Sequence, residues 1–469
     1  MPAQATTNAT AGQERAQAIE ALHAATAIYT AEPVVGELFA RVGWPACGTA
    51  RLVDPSAGDG VFLGQALHRL LSVEPDLAGE ELASRLEGWE VHPQAAAQAR
   101  ARVARVLTDH GWPSIDAQAV AERIVRNADF LTDGPHEGAR YDVIVGNPPY
   151  LRAVNVPPLL RAEYRQVSPD YARADLLHTF LERCARLLRP GGVVAMVTAD
   201  RWLFNLNAAR LRQRLGRDVA LHHVERLDPA TSFYRPKQRR RGTPPRIHPV
   251  AVVLGPRGQS ARALTDGAIY PDQAEEARPS GPTLADVAIV RQGPWLGAAG
   301  IFLVDEQIAA GLPAEHLVPA VGPRDVRNGV LGPIRRWAIR TRADEQPPRE
   351  VLAHLDSTLH RMAPRGRRTP RWLPPESWGE LPYDRPCLMI RRIAKRLEPV
   401  RLPAGVLATN HDVTIVASAP GWPLERIEAV LRAEATQRWL AARAPSVDGG
   451  YRSMTTTLLR QIPMGEGQS

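Results

Sequence analysis

The amino-acid sequence predicts an α/β domain on a mainly parallel seven-stranded sheet, followed by a second domain of mixed α+β structure. Two observations carry this reading. From about Leu52 to Leu254, short apolar runs alternate with amphipathic helical stretches, the arrangement that lays helices over both faces of a parallel sheet. From Thr283 onward prolines are frequent and apolar runs short, as in Ile301–Val304, Cys387–Ile390 and Val413–Val416, with a helix expected over Leu424–Ala442.

The strand candidates of the first domain are Ala50–Val53, Leu86–Glu90, Ile124–Asn127, Tyr141–Gly146, Gly192–Thr198, His222–Leu227 and Pro249–Leu254. Leu63–Leu71, Gln94–Leu107 and Leu176–Leu188 read as helices between them. A chain of 469 residues exceeds one ordinary core, so two domains are expected. Residues 1–14 read as disordered, 15–258 as the first domain, 259–282 as a Gly/Pro/Ser-rich linker and 283–469 as the second domain.

The formal net charge is +8, and Lys237 and Lys395 are the only lysines. Arginine's planar fork suits phosphates and guanine edges, although a GC-rich coding bias also raises arginine over lysine. Local clustering is the better guide. Arg235, Lys237, Arg239, Arg240, Arg241 and Arg246 form a run without an acid. Arg361, Arg365, Arg367, Arg368 and Arg371 form a second run, and Arg391, Arg392, Lys395 and Arg396 a third. Each reads either as a solvated face or as a set of phosphate contacts, and three such runs favour the latter.

Cys47, Cys184 and Cys387 lack CxxC spacing, so neither a metal site nor a redox pair is expected. No apolar run approaches the roughly 20 residues of a membrane span, and the N-terminus lacks a signal pattern. A protein of the reducing cytoplasm is expected.

Three successive strand ends carry the pattern of a nucleotide-type cofactor site. Asp54-Pro55-Ser56-Ala57-Gly58-Asp59-Gly60 is a strand-to-helix turn whose glycines allow close approach of a ligand. Glu90, ending the next strand, can accept hydrogen bonds from ribose hydroxyls. Asp129 and Phe130 follow the third strand, where an acid can receive an exocyclic amine and a ring can stack on a purine.

The most informative segment is Asp142-Val143-Ile144-Val145-Gly146-Asn147-Pro148-Pro149-Tyr150. It reads as a buried strand stopped by two prolines, which stiffen the loop and let Asn147 and the Pro148 carbonyl point the same way. Two such acceptors suit a planar exocyclic NH₂, holding both hydrogens as the nitrogen pyramidalises. With a sulfonium methyl donor no strong base is needed, and in-line positioning does most of the work. Tyr150 would lie against the target ring.

These segments resemble the gamma-class adenine-N6 DNA methyltransferases, the Eco57I/TaqI type of restriction–modification methylase, in order and over nearly the whole chain. Thr26-Ala27-Ile28-Tyr29-Thr30-Ala31-Glu32-Pro33 is similar to the family's first motif, with its usual Tyr-Thr-Pro interrupted. By that resemblance Tyr29 and Thr30 contact the methionine end of the cofactor. Asp175–Phe180, Arg189–Gly192 and Asp200–Leu203 match the segments around the fifth strand. Phe233, with Tyr234 beside it, is the nearest match to the aromatic residue that completes the base pocket. The long gap between Asp54 and Glu90 suggests an inserted helix near Leu77–Leu86. Val290-Arg291-Gln292-Gly293 and Gly450-Tyr451-Arg452-Ser453 resemble the opening and closing segments of the recognition domain.

The resemblance implies a Rossmann-like S-adenosylmethionine-dependent domain, a C-terminal target-recognition domain, and methylation of an adenine flipped out of double-stranded DNA. Neither lysine follows the acid-x-Lys pattern of common restriction nucleases, so any cleavage partner is expected to be a separate endonuclease or defence-complex subunit. Three other readings use the same residues: a methyltransferase acting on RNA, one acting on protein glutamine, and a DNA-binding scaffold subunit.

Overall fold

A computed structural model describes residues 2–45, 48–234, 248–258, 260–271, 281–327, 329–362, 370–444, 446–447 and 450–465. The chain divides into two compact units, Met1–Asp272 and Gln273–Ser469.

The strands of the first unit are β1 (Tyr29–Thr30), β2 (Leu52–Asp54), β3 (Leu86–Trp89), β4 (Val125–Arg126), β5 (Tyr141–Gly146), β6 (Leu188–Ala199), β7 (Ala220–Arg226), β8 (Phe233–Tyr234) and β9 (Pro249–Gly255). Its helices are α1 (Pro2–Thr26), α2 (Glu32–Val42), α3 (Val61–Val73), α4 (Gly79–Arg85), α5 (Pro93–Asp109), α6 (Ser114–Ile124), α7 (Pro158–Val167), α8 (Leu176–Leu187), α9 (Arg201–Phe204) and α10 (Ala209–Leu215).

Seven strands form one sheet in the order β4-β3-β2-β5-β6-β9-β7. The pairs from β4 to β6 are parallel, whereas β9 runs antiparallel to both its neighbours. Alternation along the strands serves two cores. Val53, Ile144, Val194 and Met196 join residues of α1, α7, α8 and α10 on one side. Leu52, Val143, Val145 and Ala195 join those of α2, α3, α5 and α6 on the other. The chain order reverses between the adjacent strands β2 and β5, and at such a switch point sheets of this kind bind ligands beyond the strands' carboxyl ends.

The second unit holds two four-stranded sheets. One runs Ala288–Gln292, Val413–Ala417, Cys387–Ile390, Val400–Leu402, all antiparallel. The other runs Leu303–Asp305, Arg336–Ile339, Leu317–Val321, Leu407–Ala408, and its last pair is parallel.

Several boundaries differ from expectation. The helix α1 begins at Pro2, where disorder was expected over 1–14; its alanines, glutamines and arginine are strong helix formers. Part of the expected linker belongs to the first unit. Arg262 bridges Leu221, Leu264 and Ile269 are buried, and the Arg212 guanidinium donates to the carbonyls of Asp266 (2.7 Å) and Gly267 (2.8 Å). One arginine thus satisfies backbone that a Gly/Pro/Ser-rich composition leaves unaccounted for. The helix expected over Leu424–Ala442 is two, Leu424–Arg432 and Glu434–Arg443, broken at the extended Ala433. There Thr436 and Gln437 donate to the carbonyls of Val430 (2.6 Å) and Leu431 (3.0 Å). The helix inferred near Leu77–Leu86 is α4.

Gly60 caps α3 with φ +83°, and a Cβ there would lie 2.7 Å from Ala99 Cα on α5. Left-handed strain and overpacking act together in Gly60→Ala, which should lose about 2–4 kcal/mol of stability. A urea midpoint equal to the parent's would contradict this account of the α3–α5 contact.

Candidate cofactor cavity and catalytic loop

Beyond the carboxyl ends of β2, β3 and β5 lies a cavity with about 830 Å³ of empty space, open solvent included. Four groups wall it: Pro55–Asp59; Trp89 to Val91; Ala128 to Phe130; and Asn147 with Pro149. The stretch from Leu22 to Thr30 closes it on another side, joined by Tyr164, Leu176 and Phe180.

The wall is held by carboxylates bonded to backbone. Glu90 accepts from the Gly58 N–H (2.9 Å) on one oxygen and the His92 N–H (2.8 Å) on the other. A further bond, Ala57 N–H to the Trp89 carbonyl (2.8 Å), stitches the turn to the end of β3. Burial pushes the Glu90 carboxyl up to about 7, against the pull of those two N–H groups. Each of its oxygens retains capacity for a second donor.

Asp129 is 3% exposed and accepts from the Leu131 N–H (2.9 Å) and the Tyr164 hydroxyl (2.8 Å). Burial raises its pKa, while the Tyr164 and Leu131 bonds and Arg15, 3.8 Å away, oppose the rise. Phe130 is packed between Trp89 and Phe180, with centroids 6.1 Å away in each case.

Tyr29 and Thr30 form β1, which pairs antiparallel with β8 so that Thr30 faces Phe233 and Tyr29 faces Tyr234. A Cβ at Gly58 would lie 3.2 Å from the Tyr29 ring, which explains the small residue at φ +56°. Among the described residues, the buried Thr30 Oγ1 and Ser56 Oγ have no hydrogen-bond partner.

The Asn147–Tyr150 loop is locked to the turn from beneath. Asp54 is fully buried; its Oδ1 accepts from Ser56 N–H (3.0 Å), and a Cβ at Gly146 would fall 2.6 Å from that same oxygen. Only glycine, at φ +146°, fits between β5 and Asn147. Asn147 Nδ2 donates to the Ile28 carbonyl (3.1 Å), which fixes the amide and leaves Oδ1 without a partner among the described residues. Pro148 is buried, and the partly buried Tyr150 packs against the core cluster of α1, α7 and α8. Burial raises the Tyr150 hydroxyl's pKa, and the neighbouring Asn147 side chain opposes the rise.

The cavity therefore brings together Tyr29, Thr30, Pro55, Ser56, Ala57, Gly58, Glu90, Asp129, Phe130, Asn147 and Pro149 of the residues singled out in the sequence. Asp54 and Gly60 stand behind it as supports, while Pro148 and Tyr150 adjoin its lining through Asn147 and Pro149. Phe233 is partly buried and packs against the core cluster on the α3 and α5 side of the sheet, outside the lining of this cavity. The neighbouring Tyr234 reaches the turn instead, its hydroxyl donating to the Asp59 carboxylate. Arg235, Lys237, Arg239, Arg240, Arg241 and Arg246 lie outside the described residues, as do Arg365, Arg367 and Arg368.

Sequence reasoning missed Tyr164, which holds Asp129 from α7, and His23, which lines the cavity and stacks on His92 with centroids 3.8 Å apart. A Pro157-Pro158 start was the available signal for α7. Nothing local marks His23.

Residues 89–233 match the family model described as Eco57I restriction-modification methylase. The matched residues include Glu90, Asp129, Asn147 and Tyr150. Beyond them, the chain is 26% identical to Type II methyltransferase M.XhoI of Xanthomonas vasicola over 502 residues, covering 93% of this chain and 90% of that protein. Type II methyltransferase M.PaeR7I of Pseudomonas aeruginosa is 34% identical over 200 residues, 41% of this chain and 34% of its own. Among solved structures, the Type IIL restriction-modification enzyme MmeI in complex with DNA superimposes with a TM-score of 0.55 at 15% identity. That likeness covers 91% of this chain and 63% of MmeI, and it shows the fold.

Asp54, beneath the Asn147 loop, gives a test of the lock. Burial pushes its carboxyl from 3.8 up to about 8, so the folded state keeps a proton that the unfolded chain loses. This contribution to stability is complete below pH 3.8 and is lost as pH rises through about 8. Between pH 5 and 8 the parent should lose about 1.4 kcal/mol per pH unit relative to Asp54→Asn. Parallel stability curves for the two proteins would show that Asp54 is ionised in the fold.

Proposed function

We propose that this chain is a site-specific DNA adenine-N6 methyltransferase of a restriction–modification or related defence system. Its methyl donor is S-adenosylmethionine, its substrate double-stranded DNA, and its cleavage partner a separate endonuclease or defence-complex subunit. The observation that carries the reading is one continuous cavity from the Gly58 turn and Glu90 to Asn147, where a fixed amide oxygen lacks a partner.

The cavity's donor set suits a nucleoside sulfonium. Glu90 accepts the ribose hydroxyls on its remaining lone pairs, and Asp129 accepts the exocyclic amine of the cofactor's purine beside Phe130. Tyr29 and Thr30, with Ser56 to Gly58, hold the methionine end. Bound S-adenosylmethionine supplies an already activated methyl group. Asn147 Oδ1 and the Pro148 carbonyl accept the two amino hydrogens of a flipped adenine, favouring the pyramidal nitrogen that attacks the methyl carbon. The donor would give up its methyl group with its own sulfur as the leaving group, and the amino proton lost from the adenine would pass to solvent past Asn147 and Pro148. Tyr150 stacks on the extruded ring and offsets part of the cost of unpairing it.

Labelled S-adenosylmethionine offered with duplex DNA, duplex RNA or protein separates the substrates. Label is expected on N6-methyladenine in DNA, and label confined to RNA or glutamine would defeat the proposal. Asn147→Ala should bind the cofactor with little change and transfer about 10²–10³-fold more slowly. Tyr150→Phe should keep most of the rate that Tyr150→Ala loses, since the ring and not the hydroxyl stacks. Transfer by Asn147→Ala at the parent's rate would place the chemistry elsewhere.

A further inference from the structure

We propose that Arg161 and Arg165 form a phosphate-binding subsite for the DNA strand that approaches the catalytic loop. The inference rests on the DNA methyltransferase reading and deepens it.

A second cavity, with about 710 Å³ of empty space, lies on the far side of Tyr164 and Leu176, two residues that line both cavities. Its other walls include Val154, Arg161, Arg165 and Arg173. Val154 follows the catalytic loop by only a few residues and is 75% exposed at the rim. Two of the three arginines are available. Arg173 is spent on structure, its Nε donating to the Ser168 carbonyl (2.8 Å), one Nη to the Arg165 carbonyl (2.6 Å) and the other to Asp170. Arg161 and Arg165 have no side-chain partner among the described residues.

The two lie one turn apart on the same face of α7, where like charges repel. The cavity's carboxylate cannot neutralise them, because Asp175 already accepts from the Leu177 N–H (3.2 Å) and pairs with Arg201 (3.6 Å). Its hydroxyls are also engaged: Ser168 donates to the Tyr164 carbonyl (2.6 Å) and Thr179 to the Ala172 carbonyl (3.2 Å). What remains is a concave site with two unpaired guanidinium groups beside the loop where DNA must arrive. A phosphodiester bridging both would remove their repulsion and hold the strand without reading its sequence. Tyr164, the shared wall, is also the residue that holds Asp129, so strand and cofactor rest on one side chain.

The test is the salt dependence of binding to a fluorescent duplex that the parent methylates. Arg161→Gln with Arg165→Gln should make the log–log slope shallower by about 0.9 for each lost phosphate contact, hence by one to two. Arg161→Lys with Arg165→Lys should keep the parent's slope, and unchanged affinity for S-adenosylmethionine certifies the fold. Should the glutamine pair fail to bind the cofactor, Arg165→Gln at its exposed position is read alone, with a change of about 0.9. A slope equal to the parent's would overturn the subsite, whether or not inorganic phosphate binds there. If the parent methylates DNA, that result defeats the subsite alone; a parent that methylates no DNA defeats the function as well.

Discussion

The site depends on the close approach of Asp54 to Gly146. A buried carboxylate at the end of β2 fills the space where any side chain at the end of β5 would have to stand. The turn that follows β2 and the loop that follows β5 are therefore set against each other before any ligand arrives. Had β5 ended in a larger residue, either the carboxylate would move and release Ser56, or the strand would shift and carry Asn147 with it. The parallel pairing of β2 with β5 brings the two ends together, and the missing Cβ lets them meet.

Around this lock the cavity is built by acids turned toward backbone. Glu90 holds Gly58 and His92, Asp129 holds Leu131, and each oxygen so used is fixed in direction. Burial raises both carboxyls' pKa values, and the N–H groups limit the rise. An acid placed in this way is a preorganised acceptor rather than a solvated charge, and a ligand hydroxyl or amine meets it without rearrangement.

Much of this was legible in the sequence because it is local. A strand followed by a glycine turn, an acid at a strand end and a strand stopped by two prolines each report their own geometry. Tyr141–Gly146 has the bounds expected of it, and Glu90 and Asn147 stand at one cavity. What escaped depends on distant partners. Tyr164 gains its meaning from an acid 35 residues away, and the backbone at Asp266 and Gly267 is bonded by Arg212, a side chain remote in sequence.

The pairing of β1 with β8 joins Tyr29 and Thr30 to an antiparallel partner about 200 residues later in the chain, at Phe233 and Tyr234. One wall of the cavity is thus made early in synthesis and cannot be fastened until the first unit is nearly complete. A growing chain that has produced the glycine turn, Glu90 and even Asn147 still lacks that fastening, so this wall of the cavity is completed only in the finished unit. Ribosomal timing thereby separates folding from the chemistry the fold serves.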